Sequence, residues 1–134
     1  MQISIVFSFR NEQEVIPELI NRLRQSLDVL EMDYELIFVN DASTDGSLEL
    51  LLSYHDKDPR IKIINMSRRF GVTPCVMAGL EISEGDAVVY MDTDLQDPPE
   101  LIPKMLAEYE KGADVVNTRP YRSVISGERF LMES

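Results

Sequence analysis

Between Val88 and Glu100 the chain reads VVYMDTDLQDPPE, an apolar run followed by four carboxylates and a glutamine. Asp92 and Asp94 stand two residues apart at the end of an extended stretch, a spacing that points both side chains the same way. Two close carboxylates resist ionising together unless a cation neutralises them. Oxygen ligands without Cys or His suit Mg2+ or Mn2+ rather than zinc, and an ion held this way also takes phosphate oxygens. A D-x-D pair alone is a weak pattern; its place after an apolar strand gives it weight. Asp97, Pro98, Pro99 and Glu100 have a sufficient structural reading instead: an Asp N-cap, Pro in the first turn and Glu beside a helix N-terminus.

Other polar residues carry two readings each. Arg68 and Arg69 suit a solvated loop as well as phosphate contacts, and Arg119 and Arg122 suit a plain surface as well as an anion site. Asp41 suits a turn, bonding its own backbone, as well as a ligand contact. Cys75 and His55 are the sole residues of their kinds, so there is no intrachain disulfide and no thiolate metal cluster, and Ser/His/Asp chemistry is a poor fit. Cys75 reads as a buried core thiol, His55 as part of a solvated helix end or loop, and Met77, Met91 and Met105 as core.

The elements that must position these residues alternate. Ile3 to Phe9 is a β-rich run, and Ile16, Ile20, Leu23, Leu27 and Leu30 follow at spacings of 4, 3, 4 and 3, one face of a helix. Tyr34 to Asn40 is a second strand; Ser43, Thr44 and Asp45 then offer caps to a helix carrying Leu48, Leu51 and Leu52. IKIINM is a third strand. Gly71, Thr73 and Pro74 lead into a helix expected to bury Val76, Met77 and Leu80 and to close at Gly85. Asp86 to Asp92 is a fourth strand, PELIPKMLAEYEKG a helix ended by Gly112, and DVVNTR a fifth strand. This order predicts an α/β fold, a mostly parallel sheet with helices on both faces, in which ligands bind at the carboxyl ends of the strands. SFRNE, NDASTD, SRRFG, DTDLQD and TRPYR all fall at such ends and should converge on one crevice.

The 134 residues fit one domain, and their 44% hydrophobic content supports a single core. A net charge of -11 argues against nonspecific binding to nucleic acid or anionic lipid, so a phosphorylated ligand would need a metal ion or well-aimed arginines. No apolar run approaches the ~20 residues that span a bilayer, and the N-terminus lacks the pattern of a secretory signal. The chain is expected to be soluble and to suit a reducing compartment.

NDASTDGS (residues 40–47), SRRFGVTPCVMAGL (67–80), MDTDLQDPPELIPKM (91–105) and TRPYR (118–122) closely resemble the inverting family 2 glycosyltransferases, nearest the polyprenyl-phosphate, dolichyl-phosphate mannose synthase-like branch. The resemblance covers essentially the whole chain. It implies the nucleotide-binding, Rossmann-like part of a GT-A fold, a nucleotide-sugar donor, a UDP- or GDP-sugar, and a polyprenyl-phosphate or saccharide acceptor. Asp92, Asp94 and Gln96 match the metal and diphosphate motif, with Asp94 a direct ligand and Asp92 and Asp94 the catalytic pair. Ser8, Arg10, Glu12, Asp41, Asp92 and Thr93 fall in the nucleotide pocket, with Asp41 on the base or ribose. Arg119 and Arg122 match an R-x-x-R pair at the acceptor phosphate, where guanidinium forks give charge-assisted hydrogen bonds.

The sequence departs from the family pattern in places. Arg10 stands where a base-stacking Tyr is usual and can itself lie flat on a base; Asn40 replaces the first Asp of V-D-D-G-S, and Ala42 its Gly. Relatives also need a downstream segment for the acceptor, so residues 1–134 are expected to be the donor part of a longer enzyme, inactive alone and prone to self-association. The longer protein is expected in the cytoplasm or on the cytoplasmic face of a membrane, attached through segments beyond this chain. Two other classes stay open. A metal-dependent nucleotidyltransferase would want a Gly-rich phosphate loop after strand one, which SFRNEQE lacks. A non-catalytic signalling module of the receiver type would also gather Asp residues at strand ends, but it would want a paired Asp after strand one and a Lys after strand five, and neither stands here; a non-catalytic nucleotide-sugar-binding fragment is the other alternative.

Overall fold

The computed structural model describes residues 2–93, 99–110, 115–119 and 122–126, with side chains through residue 107. In chain order the elements are β1 (Gln2–Phe9), α1 (Ile16–Leu27), β2 (Asp33–Asn40), α2 (Ser47–Lys57), β3 (Ile61–Asn65), α3 (Val72–Ile82), β4 (Ala87–Asp92), α4 (Ile102–Glu110), β5 (Val115–Arg119) and β6 (Arg122–Ser126). Single 3-10 turns at Asp28–Leu30 and Pro99–Leu101 follow α1 and precede α4. The strands form one sheet in the order β3-β2-β1-β4-β6-β5. β1 to β4 are mutually parallel, as the alternating elements predict. The expected fifth strand lies at the edge rather than beside β4, because β6 runs antiparallel between them. At five residues, with Val124 and Ile125 adjacent and an Arg and two Ser around them, β6 offers no period for a sequence reading to detect.

Period-two alternation sorts the side chains of the central strands onto two faces. Ile3, Ile5, Phe7 and Phe9 of β1, with Tyr34, Leu36 and Phe38 of β2, pack under α1, α2 and α4 against Ile16, Leu19, Ile20, Leu23, Leu51, Ile102 and Met105. Phe7 and Phe38 stack there with ring centroids 4.8 Å apart. At roughly 1.5–3 kcal/mol for each large side chain fully removed from water, this face supplies most of the apolar stabilisation. The opposite face is smaller: Val6, Ile37, Val39 and Val88 lie under α3 with Cys75, and Leu80 and Tyr90 pack at its margin. α3 approaches β1 so closely that a Cβ on Gly79 would fall 2.4 Å from a Val6 methyl.

Several local expectations need correction. Met77 is 46% exposed, because Cys75, Val76 and Gly79 are the residues α3 turns to the sheet. The helix ends at Ile82 with the Ser83 hydroxyl on the Leu80 carbonyl, so Gly85 does not close it. Gly85 is instead where the backbone passes over β1, and a Cβ there would lie 2.5 Å from Ser4 N and Oγ. Leu30 falls outside α1, in the 3-10 turn. Cys75, Met91 and Met105 are fully buried, as read, and His55 is an exposed residue in the last turn of α2. The start signal at Asp97 and Pro98, and Gly112, lie outside the described residues. Among the described residues no helix is long and apolar enough to cross a membrane.

Candidate active site

The parallel register brings the candidate residues to one edge of the sheet. Ser8 is the Cα partner of Asp92 across β1 and β4, and Phe9 that of Asn40 across β1 and β2. Ser8 and Asp92 are two residues on from Val6 and Tyr90, so alternation points them to the α3 side of the sheet. A cleft of about 360 Å³ opens there. β1 and its exit contribute Ser8, Phe9, Arg10 and Glu12; the exit of β2 contributes Asp41; the entry to α3 contributes Arg69, Gly71 and Val72; the end of β4 and its exit contribute Asp92 and Thr93. All six residues predicted for the nucleotide pocket therefore share one cavity. Arg119, the last residue of β5, and Arg122, the first of β6, are Cα partners, and the β4/β6 register, which sets Tyr90 opposite Ser123, puts these two strand ends at the same edge of the sheet. Asp94 and Gln96 lie outside the described residues.

Asp41 is firmly held at the wall of the cleft. Its two carboxylate oxygens accept the backbone N–H groups of Phe70 at 2.7 Å and Gly71 at 3.0 Å, and the residue is only 8% exposed. Burial alone would raise its carboxyl. The two amides, a hydrogen bond from the Cys75 thiol and the charge of Arg69 outweigh that and hold it below its ordinary value of 3.8. Cys75 responds in the opposite sense: burial, then the Asp41 charge and hydrogen bond, push its thiol up to about 12, so it stays a protonated donor. Gly71 takes φ 93 where it turns to present its N–H to Asp41, a region that excludes ordinary side chains. The paired arginines divide. Arg69 lines the cleft, whereas Arg68 lies over the Phe70 ring at 4.1 Å.

The loops after β1 and β2 are laced together. Asn11, at φ 57, accepts the backbone N–H groups of Thr44 at 2.7 Å and Asp45 at 3.2 Å through its amide oxygen, and its own N–H goes to the Ser43 hydroxyl. Gln13 accepts from Gly46 N and donates its backbone N–H to Asp45. At the start of α2 the three expected capping residues divide: Asp45 receives the Ser47 N–H and hydroxyl, while Ser43 and Thr44 are engaged with Asn11. Asn40 is buried, donating to Asn65 and accepting from Ser43 N, a pairing that an amide can complete and a carboxylate cannot. Ala42, in place of a glycine, adopts φ 58.

Tyr90 escaped the sequence reading. Its hydroxyl donates to Asp92 Oδ1 at 3.0 Å and lies 3.4 Å from Ser8 Oγ. The available signal was its position, two residues before Asp92 on the same face of β4.

Among the described residues no three His, Cys, Asp or Glu side chains gather as a metal centre. The acidic donors that do face the cleft are hard oxygens, with Asp92 at the β4 end and neither imidazole nor thiol among the lining residues. That set fits Mg2+ or Mn2+ completed by phosphate oxygens, and it does not fit zinc.

Residues 4–133 match Glycosyl transferase family 2. The chain belongs to that family. It is 44% identical over 131 residues to the uncharacterized glycosyltransferase YkcC of Bacillus subtilis (strain 168), covering 98% of this chain and 40% of that protein. It is 40% identical over 119 residues to the undecaprenyl-phosphate 4-deoxy-4-formamido-L-arabinose transferase of Proteus mirabilis (strain HI4320), covering 88% of this chain and 36% of the relative. The chain thus spans about two fifths or less of the curated relatives it matches. Among solved structures, S. aureus TarS 1-349 in complex with UDP-GlcNAc superposes at a TM-score of 0.70 with 26% identity, covering 89% of this chain and 36% of that one. The mannosyltransferase PcManGT of Pyrobaculum calidifontis, in complex with GDP-Man and Mn2+, superposes at 0.72 with 18% identity over 94% of this chain and 44% of that one, a likeness of fold. The GT-A architecture and the family 2 glycosyltransferase class follow.

Proposed function

We propose that this chain binds the donor in an enzyme that moves a sugar, with inversion, from a UDP- or GDP-sugar to a polyprenyl phosphate, assisted by Mg2+ or Mn2+. One observation carries the reading: Ser8, Arg10, Glu12, Asp41, Asp92 and Thr93, contributed by three parallel strand ends, line one cleft. The undecaprenyl-phosphate transferases among the relatives support the acceptor.

Within that cleft Asp41, oriented by Phe70 and Gly71, would accept a hydrogen bond from the base or ribose, since a carboxylate has capacity beyond the two amides and the Cys75 thiol. Arg10 offers a flat cation for the base, and Arg69 a positive charge beside the phosphates. Asp92, with Asp94 and Gln96 following it in sequence, would hold the divalent ion. When bound, that ion would stabilise charge developing on the leaving diphosphate. Arg119 and Arg122, paired at the adjoining ends of β5 and β6, are assigned to the acceptor phosphate.

The test is calorimetric titration of the chain with UDP, GDP and ATP, with and without Mn2+. UDP or GDP should bind more tightly with Mn2+ than without it, and more tightly than ATP, and Asp92→Ala should abolish the metal's contribution. Equal binding with and without the ion would remove the metal assignment. Preference for ATP would favour the nucleotidyltransferase reading instead.

A further inference from the structure

We infer that Tyr90 is a positioning residue for Asp92, and through it for the divalent ion; this rests on the donor-site reading above. Asp92 ends β4, where the chain leaves the sheet, and a carboxylate at such a place has several rotamers open to it. Tyr90 lies two residues earlier on the same face of the strand, so its ring runs along the sheet towards the cleft. Its hydroxyl reaches Asp92 Oδ1 at 3.0 Å.

The direction of the bond follows from chemistry. A carboxylate only accepts, so the phenol donates, and the Ser8 hydroxyl 3.4 Å away is then placed to donate to the phenol oxygen. Ser8 and Asp92 are cross-strand partners, which fixes the spacing that the phenol bridges. Ser8 and Asp92 line the cleft while Tyr90 packs behind them with Val6, Val88 and Cys75. Tyr90 thus acts on the ion only through the carboxylate that it orients. Outer partners of metal ligands typically change metal affinity by about 10–100-fold when removed.

Tyr90→Phe deletes one oxygen and keeps the ring in its apolar layer. Calorimetry of UDP and GDP should show the metal-dependent part of the affinity reduced about tenfold or more, with binding in EDTA unchanged. As a second measurement on the unsubstituted protein, 3-fluorotyrosine labelling and fluorine NMR should show the Tyr90 resonance shifting when Mg2+ is added with nucleotide, and not with nucleotide alone. Parallel loss of both affinities in Tyr90→Phe, as a merely structural role would give, overturns the inference. So does an unchanged metal contribution, or a Tyr90 resonance indifferent to Mg2+. A wild-type chain showing no metal-dependent nucleotide binding would remove the donor-site reading as well, whereas a normal wild type beside an indifferent Tyr90→Phe removes only this inference.

Discussion

Asp41→Asn isolates the clamp that the β2 end places on the loop into α3. In the wild type each carboxylate oxygen accepts one backbone N–H, from Phe70 and from Gly71, in a residue 8% exposed. An Asn side chain supplies one oxygen and one NH2, so one of the two amides would face another donor in a buried place. Hydrogen bonds to a charged partner are worth about 1.5–3 kcal/mol each, and a buried unsatisfied donor costs a similar amount. A loss of about 3 kcal/mol is therefore expected. With an unfolding entropy of roughly 2.1 cal/mol/K per residue, the 134 residues convert it into a melting temperature lower by about 10 °C. The pH dependence fixes the cause. Because folding depresses the Asp41 carboxyl below 3.8, its contribution is complete above that value and disappears as pH falls through the lower folded value. Urea unfolding followed by circular dichroism, at pH 7 and in steps down to pH 3, should show the gap between wild type and Asp41→Asn closing at the acid end. Equal stability at pH 7, or a gap that acid leaves untouched, would refute the clamp.

Two further substitutions test the frame around the site. Ala42→Gly should stabilise the chain by about 0.5–1 kcal/mol, since a left-handed conformation costs an L-residue about 1–2 kcal/mol and glycine's extra freedom when unfolded returns about 0.4–1; a lower melting temperature would contradict this. At the opposite end of the sheet, Lys62 Nζ lies 2.6 Å from Oε1 of Glu35, whose other oxygen accepts from the Ser4 hydroxyl and Glu84 N. Lys62→Met should cost about 2–4 kcal/mol at pH 7 by leaving a buried carboxylate without its cation. Burial raises the Glu35 carboxyl, but Lys62, Ser4 and Glu84 bring it below 4.5 on balance, so the pair's contribution is complete above that value and lost as pH falls through the lower folded value. Denaturant curves at pH 7 and in steps down to pH 3 would check both the size and the trend.

What the sequence disclosed was what depends on local period and local order. The alternation in β1, β2 and β4 and the 3-4 spacing in α1 are consequences of one-sided burial, and strand ends in an alternating α/β chain must share an edge. Hence Ser8, Glu12, Asp41, Asp92 and Thr93 could be gathered before any coordinates. Contacts between segments distant in sequence left no such mark. The clamp on Asp41 has no sequence signal, because Phe70 and Gly71 arrive beside it from 29 and 30 positions away. Arg68 and Arg69 are indistinguishable until the Phe70 ring takes one of them. Met77 was misplaced because α3 is apolar nearly all round, so period alone does not say which side meets the sheet. Tyr90 looked like strand composition because aromatic residues favour strands whether or not a hydroxyl is used.

The stitching between the loops after β1 and β2 bears on how such a site can be altered. Asn11 presents its amide to the backbone of Thr44 and Asp45, Gln13 presents its own to Gly46, and a Cβ on Gly46 would lie 3.0 Å from that Gln13 amide. Each loop takes part of its shape from the other, so residues 11–13 and 43–47 form one transferable unit although some 30 residues of chain separate them. A chimera that imported either stretch alone from a relative would set foreign side chains against native backbone, and the mismatch would appear beside Glu12 and Asp41, at the mouth of the cleft. Grafted together, the two stretches bring their own partners with them.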